Sequence, residues 1–434
     1  MNGSTMSTWR PDPDATVIRL SELLRAPVVA NAGDTIGRVE DLTVRLHGEG
    51  GYPEVTGVVA AVGGRKVFIG MCAVDRWQPG RVTLARNEID LRGFERRDGE
   101  VLLRADVLGH RLIDVAAAEL VHAYDVELEH TGRGWVPARL DTRRRARLFG
   151  LLGAGDGAAV RDWRAFEPLI GDGRSIAARG AAGRVGALKP AQIADLLEDA
   201  DRAEGGEILD RVRDNPGLEA DVFSELDSDK ASRLLDDMPD LEVAGLLGRM
   251  RADDAADAIV DLRQSRRLRV LGLMPAPQRT KVTTLMGFNP HSAGGLMNTD
   301  VATCSTASTA GEALAVVANA PLLPPEALLK VHVLDEEARL VGVVSVIALL
   351  QSQPATSVAA LMDSDPVRVT ADVDLADVAL LMADYDLYLV PVVDDEERVM
   401  GVVSVDDVLA ATIPEGWRRR EPAPRPVRHV RQRS

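Results

Sequence analysis

Carboxylates at helical spacing are the residues of this chain with the clearest potential for chemistry. In the segment Ala252-Asp-Asp-Ala-Ala-Asp257, Asp253 and Asp257 are four residues apart and therefore share one face of a helix. Carboxylates that leave room for several retained waters suit the octahedral oxygen coordination that Mg²⁺ prefers. Acidic residues at this spacing are more often a solvated helix face. The spacing alone leaves both interpretations open.

Other reactive side chains follow no catalytic or metal-binding pattern. The histidines, among them His110, His122, His291 and His332, lack metal-ligand spacing, and no Ser/His/Asp order or glycine-rich phosphate loop can be placed. The two cysteines are far apart and outside any zinc or iron spacing. We therefore expect neither an enzyme, nor a transition-metal cluster, nor a disulfide framework.

The charge and apolar pattern limit the partners and the location. The 434 residues include 51 basic and 67 acidic side chains, a net charge of −16 that should repel nucleic acid and anionic lipid and favour cations. The N-terminal segment lacks the basic and apolar regions of a secretory signal. The most apolar stretch, residues 340–350, is shorter than the roughly 20 residues of a spanning helix. These features predict a cytoplasmic chain without a membrane crossing.

Residues 16–152 have the pattern of a small β-barrel. Short apolar segments are punctuated by glycine, proline and asparagine, which is typical of strands joined by tight turns. Two stretches, residues 31–44 and 112–128, look alike because each has a short strand, a turn and then an acidic residue that leads another strand. This pattern resembles the PRC-barrel family, with two half-modules.

Residues 163–290 have a different, helical pattern. Apolar residues recur at spacings of three and four, as at Ile193, Leu196 and Leu197, and helix-start signals recur at short intervals. No strand-like alternation separates them. We expect an all-α domain of short helices stacked as a superhelix.

An internal repeat occupies residues 294–412. Val331–Ser345 aligns without a gap with Val390–Ser404, and the element order β-α-β-β-α occurs twice, as in a tandem CBS pair. Asp335 and Asp394 fall in the hairpin turn of each copy, where we expect local backbone hydrogen bonds. The complete chain is thus expected to be a multidomain α+β protein.

A basic tail follows these domains. Residues 417–434 are rich in arginine and proline, which predicts a disordered segment.

The junction between the helical and repeated regions is the most specific motif. Its core, Ser292-Ala-Gly-Gly-Leu-Met297, resembles the loop by which MgtE-type magnesium transporters pass from their helical N domain into the first CBS motif. Residues 188–197, 252–257 and 385–394 extend the resemblance in collinear order over roughly 230 residues. The transmembrane helices of that family would follow, and the sequence ends instead. We therefore expect that this chain conducts no ions itself.

The resemblance implies a set of magnesium ligands. In this family the helical domain closes on the CBS pair when Mg²⁺ bridges acidic side chains across their interface, because a cation neutralises the facing carboxylates. The implied ligands are Asp221, Asp253 and Asp257 in the helical domain and Asp374, Asp386 and Asp407 in the CBS pair. Two further acidic positions are Ala376 and Ala410 here, and residues 413–417 replace the acidic connecting helix. A weaker metal response is expected.

CBS pairs also often bind adenosine nucleotides, through a Ser/Thr-x-x-Asp step whose aspartate accepts hydrogen bonds from the ribose. The second copy keeps this step as Ser404 and Asp407, whereas the first copy has Ser345 and Ala348. In MgtE-type proteins ATP uses the first site. We therefore expect nucleotide binding to be weak or absent, with Ser404 and Asp407 as the less favoured site.

Three functional hypotheses follow. The first is a regulatory protein that senses divalent cation, chiefly Mg²⁺, by domain closure and acts on a partner such as a separately encoded metal transporter, as a homodimer formed through its CBS domains. The second is a constitutive scaffold or adaptor whose metal sites have decayed. The third is an RNA-associated role of the barrel, against which the acidic charge argues.

Overall fold

The computed structural model describes residues 17–45, 51–85, 90–97, 99–132, 134–142, 160–169, 184–320, 323, 325 and 327–413. The predicted disordered tail, residues 417–434, lies outside them. The chain divides into two compact units, Met1–Asp227 and Ser228–Ser434. No helix in the described ranges is both long enough and apolar enough to cross a membrane.

The first unit is rich in β-structure. Its strands are β1 (Val17–Arg19), β2 (Pro27–Val29), β3 (Thr35–Arg45), β4 (Glu54–Val62), β5 (Arg65–Gly70), β6 (Val74–Gln78), β7 (Arg81–Leu84), β8 (Glu100–Leu102), β9 (Arg111–Asp114), β10 (Glu119–His122), β11 (Asp125–Thr131), β12 (Gly134–Asp141), β13 (Val160–Asp162) and β14 (Phe166–Pro168).

These strands form three sheets around one apolar core. The largest sheet has the order β5-β4-β3-β2-β7-β6, with β8 paired to β3, and the other two have the orders β1-β11-β12-β13 and β10-β9-β14. Ile18, Leu42, Val58 and Leu128 are fully buried in the core. The predicted β-rich N-terminal region is confirmed, but its described part contains no closed barrel. The PRC-barrel resemblance stays a prediction.

The two halves of this region, each with one of the look-alike stretches, are joined by hydrogen bonds. In each case a carboxylate of one half accepts them from a short helix of the other half. Asp41 accepts hydrogen bonds from the backbone N–H groups of the second and third residues of the helical turn Leu103–Val107, at 2.7 and 3.0 Å. Asp125 accepts hydrogen bonds from the backbone N–H and the hydroxyl of Ser21, at 3.1 and 2.5 Å, in helix α1 (Leu20–Leu23). Each half therefore supplies the carboxylate that caps the short helix of the other half.

Short helices follow, in agreement with the apolar periodicity. The first unit ends with α2 (Pro190–Asp199), α3 (Arg202–Val212) and α4 (Pro216–Glu225), and the second unit begins with α5 (Ser228–Asp237), α6 (Asp240–Leu247), α7 (Ala252–Asp261), α8 (Gln264–Leu273) and α9 (Ala276–Leu285). Prolines at the first position of α2 and α4 favour helix initiation. The range predicted for this domain also contains β14, which pairs with β9.

The repeated region has the predicted CBS architecture. The first copy contains α10 (Ala293–Leu296), β15 (Thr303–Ser305), α11 (Ala310–Ala318), β16 (Lys330–Leu334), β17 (Leu340–Ser345) and α12 (Val346–Gln351). The second copy contains β18 (Val369–Thr370), α13 (Leu375–Asp384), β19 (Leu389–Val393), β20 (Val399–Ser404) and α14 (Val405–Thr412). In each copy a parallel pair of strands is extended by an antiparallel hairpin. Asp335 and Asp394 accept the backbone hydrogen bonds predicted for the hairpin turns.

The two CBS copies interlock by exchange of short segments. Asn298, which lies between α10 and β15 of the first copy, exchanges two backbone hydrogen bonds of 2.8 and 2.9 Å with Val402 in β20 of the second copy. Asp363, which precedes the second copy, exchanges two of 2.9 Å with Val343 in β17 of the first. Each copy therefore completes the sheet edge of the other.

Candidate functional site

The junction motif ties the end of the helical run to the second CBS copy. The backbone N–H groups of Ala293 and Gly294 donate to the carbonyls of Val373 and Ala371, at 2.8 and 2.9 Å. A Cβ atom on Gly294 would lie 2.7 Å from the Phe288 ring. The glycine is therefore required for the close approach that these hydrogen bonds need.

Helix α7 has one apolar face and one acidic face. Ala255 and Ile259 are fully buried, so the face on which they lie belongs to the core. Asp253 is only 7% exposed, an unusual position for a carboxylate. Asp253 and Asp254 occupy the first turn, where negative charge interacts favourably with the helix dipole.

Arg251, the residue before α7, joins this helix to the second CBS copy. Its Nε and Nη2 atoms donate hydrogen bonds to the two oxygens of Asp253, at 3.3 and 2.7 Å. The same Nη2 atom donates to Oδ1 of Asp407 in α14, at 2.8 Å. One guanidinium is thus shared between a carboxylate of the helical run and a carboxylate of the CBS pair.

Burial and charge act in opposite directions on these groups. Burial lowers the pKa of Arg251, but the charges of Asp253 and Asp407 outweigh it, so that the pKa is raised. Burial raises the pKa of Asp407, and Arg251 and the hydrogen bond from Ser404 offset this shift only in part. The side chains of Asp253 and Asp407 are 10% and 15% exposed. Arg251 is therefore the cation that favours the ionised form of Asp407.

Asp257 lies one turn further along α7, as the spacing predicts, and keeps solvent access. The dense protein around its carboxylate, and then the charges of Asp253 and Asp261, raise the pKa of Asp257 to about 6, whereas His291 acts in the opposite direction. The backbone carbonyl of His291 accepts a hydrogen bond from the backbone N–H of Leu375 at 2.9 Å, so His291 belongs to the junction contact. A cation beside Asp257 would be favoured electrostatically.

The other predicted ligands are placed differently. Asp374 is exposed, and its backbone pairs with that of Ser292 in the junction. Asp386 is exposed after the end of α13, in a left-handed backbone conformation with φ of 51°. Asp221 is an exposed residue of α4 in the first unit. The structure therefore brings Asp253 and Asp407 to one shared cation, with Asp257 on the same helix as Asp253.

The donor chemistry fits magnesium, but the arrangement fits it only in part. The predicted ligands offer carboxylate oxygens, the type of donor that Mg²⁺ prefers. Within the described ranges, however, no three His, Cys, Asp or Glu side chains form a group that could hold a metal ion. The position between Asp253 and Asp407 is taken by Arg251. The six-residue ligand set stays a prediction.

The Ser-x-x-Asp sequence that is predicted to bind a nucleotide in the second copy is already hydrogen-bonded within the protein. The hydroxyl of Ser404 donates to Oδ2 of Asp407 at 2.5 Å, and Arg251 donates to Oδ1. Both oxygens of the carboxylate that would accept ribose hydroxyls thus already have partners in the fold.

A cavity lies at the equivalent place of the first CBS copy and is lined by residues of both copies. Its volume is about 260 Å³, and its lining includes Lys330, Ser345, Ala348, Asp363 and Pro391. Burial lowers the pKa of Lys330, and Asp363 opposes this shift. The cavity thus has a few polar groups among mostly apolar walls, and Ala348 provides no carboxylate where the second copy has Asp407.

Arg251 and His291 are the site residues that the sequence analysis did not single out. Arg251 directly precedes the acidic motif of α7, so a cation two residues before Asp253 was a detectable signal. Its second partner, Asp407, is 156 residues away in sequence and could not be inferred from spacing.

Comparisons with known proteins agree with this architecture. Residues 188–291 match the family described as the MgtE intracellular N domain, and residues 358–413 match the CBS domain family. A curated relative, the magnesium transporter MgtE of Thermus thermophilus, is 35% identical over 160 residues, which cover 36% of this chain and 35% of the relative. The chain thus matches about a third of the length of that transporter.

Two solved structures are similar over about half of the chain. The cytosolic domain of the Mg²⁺ channel MgtE in complex with ATP is 30% identical, with a TM-score of 0.50, and the match covers 52% of this chain and 92% of that domain. The soluble part of a magnesium transporter is 25% identical, with a TM-score of 0.49, covering 52% of this chain and 89% of the other.

Proposed function

We propose that this chain, whose residues 188–291 match the MgtE intracellular N domain and whose residues 358–413 match the CBS domain family, is a non-catalytic, cytoplasmic regulatory protein that responds to Mg²⁺. The similarities support a magnesium-related regulatory domain. The signal that we propose is closure of the helical domain on the CBS pair. The proposed output is a change in a partner, such as a membrane metal transporter, that contacts a homodimer of this chain.

One observation carries this proposal. Asp253 of the helical run and Asp407 of the CBS pair both accept hydrogen bonds from the Nη2 atom of one cation, Arg251. Two carboxylates so placed repel each other unless positive charge lies between them. The stability of this contact therefore depends on positive charge at this position, which Arg251 supplies and to which a divalent cation would add.

We propose that the ligands of the ion come from the predicted carboxylates of the second unit, which are Asp253, Asp257, Asp374, Asp386 and Asp407. Mg²⁺ would supply a compact double positive charge coordinated by oxygen atoms and water. Asp257 has the strongest reason to take part, since its surroundings already disfavour its negative charge.

Magnesium titration of the full chain tests this function. We expect Mg²⁺ to slow amide hydrogen exchange in residues 252–261 and 405–412, followed by mass spectrometry, and to reduce the radius of gyration in small-angle scattering. Asp257→Asn keeps the side-chain shape and should shift the midpoint to higher Mg²⁺ by about 10-fold, the equivalent of one lost charge interaction of about 1.4 kcal/mol. Identical flat responses of both proteins would contradict sensing.

A constitutive scaffold is the second candidate, and the Arg251 ion pair favours it. An interface whose carboxylates are already joined by an arginine can stay closed at every magnesium concentration. The flat response described above is the result expected for this candidate.

Weak adenosine nucleotide binding remains part of the proposal. The similar MgtE structure was solved with ATP, and the first CBS copy of this chain has a cavity of about 260 Å³. Ala348 gives that cavity no carboxylate for ribose hydroxyls, so we expect a nucleotide to bind there less tightly than at an intact Ser-x-x-Asp step.

A further inference from the structure

We propose that Arg251 is a built-in cation that holds α7 against the second CBS copy in the absence of metal. This inference deepens the proposed function and rests on it, because it concerns the same interface. It assigns to a side chain of this protein the neutralising role that the sequence analysis gives to a bridging Mg²⁺. Asp253 becomes a residue that positions this arginine, and Asp407 becomes its docking point.

The two contacts of Arg251 differ in their origin. The contact with Asp253 is local, two residues along the chain, and uses both Nε and Nη2. The contact with Asp407 spans 156 residues and uses only Nη2. Asp253 therefore fixes the planar guanidinium on its own segment, and a preoriented donor loses less conformational entropy when it meets Asp407.

The surroundings make the arginine important for both carboxylates. The side chain of Arg251 is 30% exposed, whereas those of Asp253 and Asp407 are 10% and 15% exposed. Removing one partner of a buried ion pair leaves an uncompensated charge, which costs more than the pair contributes. Without Arg251, two poorly solvated carboxylates would face each other across the interface.

A tethered arginine and a dissolved ion differ in one decisive respect. The arginine cannot diffuse away, so its occupancy of the site does not depend on the concentration of Mg²⁺. It carries a single charge, while Asp253, Asp254 and Asp407 all act on it electrostatically. Asp253 and Asp407 alone carry two negative charges, so Arg251 with these two carboxylates has a net negative charge. Closure without metal and further stabilisation by a divalent cation are compatible.

Hydrogen exchange of the full chain in EDTA tests the inference directly. We expect residues 252–261 and 405–412 to be protected in the wild type without metal. Arg251→Ala should exchange roughly 10- to 30-fold faster in both segments, because one partner of a largely buried ion pair is lost. Addition of MgCl₂ should restore the protection of this variant, since the two carboxylates left without Arg251 then take up the ion.

Two further variants control for unfolding and for net charge. Arg269→Ala removes an arginine from α8 that pairs with Asp240 and is 61% exposed, so we expect exchange as in the wild type. Arg251→Lys keeps the charge but loses the planar guanidinium that donates to both carboxylates, and should exchange at an intermediate rate. Circular dichroism establishes whether each variant is folded. If Arg251→Ala does not fold, the exchange rates of Arg251→Lys provide the test.

The outcomes separate this inference from the proposed function. Wild-type exchange rates in Arg251→Ala in EDTA would overturn the role of Arg251, even if the wild type responds to Mg²⁺. Faster exchange in Arg251→Ala together with a wild type that ignores Mg²⁺ would support the arginine and overturn magnesium sensing. Equal acceleration in Arg269→Ala would also overturn the inference, because the effect would then be one of net charge.

Discussion

The two CBS copies share one fold and one helix cap but use the same position for different purposes. Ser345 accepts a hydrogen bond from the backbone N–H of Ala348 at 3.1 Å, and Ser404 accepts one from that of Asp407 at 3.3 Å. The serine thus starts the helix in both copies. This hydrogen bond does not need the side chain of the fourth residue, so Ala348 can line a cavity while Asp407 binds Arg251.

This difference shows that the two copies of an internal repeat can share their secondary structure while the side chains available for binding differ. The sheet, the hairpin aspartate and the capping serine recur in both copies because each satisfies backbone groups that every copy has. The side chain of the fourth residue is required for none of these and is free to vary. At this position the first copy has Ala348 beside a cavity, and the second copy has Asp407, which accepts a hydrogen bond from Arg251.

The largest effect that we predict tests whether the copies are structurally equivalent. A Cβ atom on Gly401 would lie 2.6 Å from the carbonyl oxygen of Asn298, and one on Gly342 would lie 2.8 Å from that of Asp363. Gly401→Ala and Gly342→Ala should each reduce the free energy of unfolding by about 2–3 kcal/mol, because backbone must move to relieve the overlap. Thermal denaturation checks this.

Gly206→Ala is the matched control, since its Cβ would meet no atom within 4 Å and α3 favours alanine over glycine. It should leave the stability unchanged or increase it slightly. A harmless Gly401→Ala beside a destabilising Gly342→Ala would show that only one copy depends on the exchanged segment.

A second prediction sharpens the chemical difference between the copies. Ala348→Asp gives the first copy the carboxylate that the second copy has, in a cavity that also contains Lys330. One added charge-assisted hydrogen bond contributes about 1.5–3 kcal/mol, so the Kd for ATP should fall by about 10-fold or more. Isothermal titration calorimetry measures it.

Ala348→Asn is the control, because it adds similar volume without the charge and should give a smaller gain. Equal affinities of wild type and Ala348→Asp would mean that the missing carboxylate does not limit nucleotide binding in the first copy.

The smallest effect concerns His332, whose counterpart in the second copy is Pro391. His332 is fully buried, with Nδ1 3.3 Å from the carbonyl oxygen of Ala302, and burial lowers its pKa to about 4. The unfolded chain, with a histidine pKa near 6.5, binds more protons between these values. Stability should therefore fall as the pH falls from about 6.5 towards 4.

The loss between pH 7 and pH 5.5 should be about 1 kcal/mol. Denaturant unfolding at several pH values measures it, and His332→Val should have a flatter profile because it removes this titrating group. Parallel pH profiles of the two proteins would show that His332 contributes nothing to the acid sensitivity.

The sequence predicts much of this architecture because repetition and periodicity are local properties. The gapless alignment of Val331–Ser345 with Val390–Ser404 identified both CBS copies, and the spacing of Asp253 and Asp257 placed them on one helix. Strand β14 was missed because three residues are too few to show alternation. The Arg251–Asp407 contact was missed because pairing across 156 residues leaves no trace in spacing.

The two carboxylates that each cap a helix in the other half make the halves of the N-terminal region depend on each other. Asp41 serves the turn at Leu103–Val107, and Asp125 serves the helix that contains Ser21. A fragment that ends between the halves would keep one donor set without its acceptor and one acceptor without its donors. Such a fragment is a poor choice for expression, whereas new termini opened in the connection between the halves of the intact region would leave both caps in place.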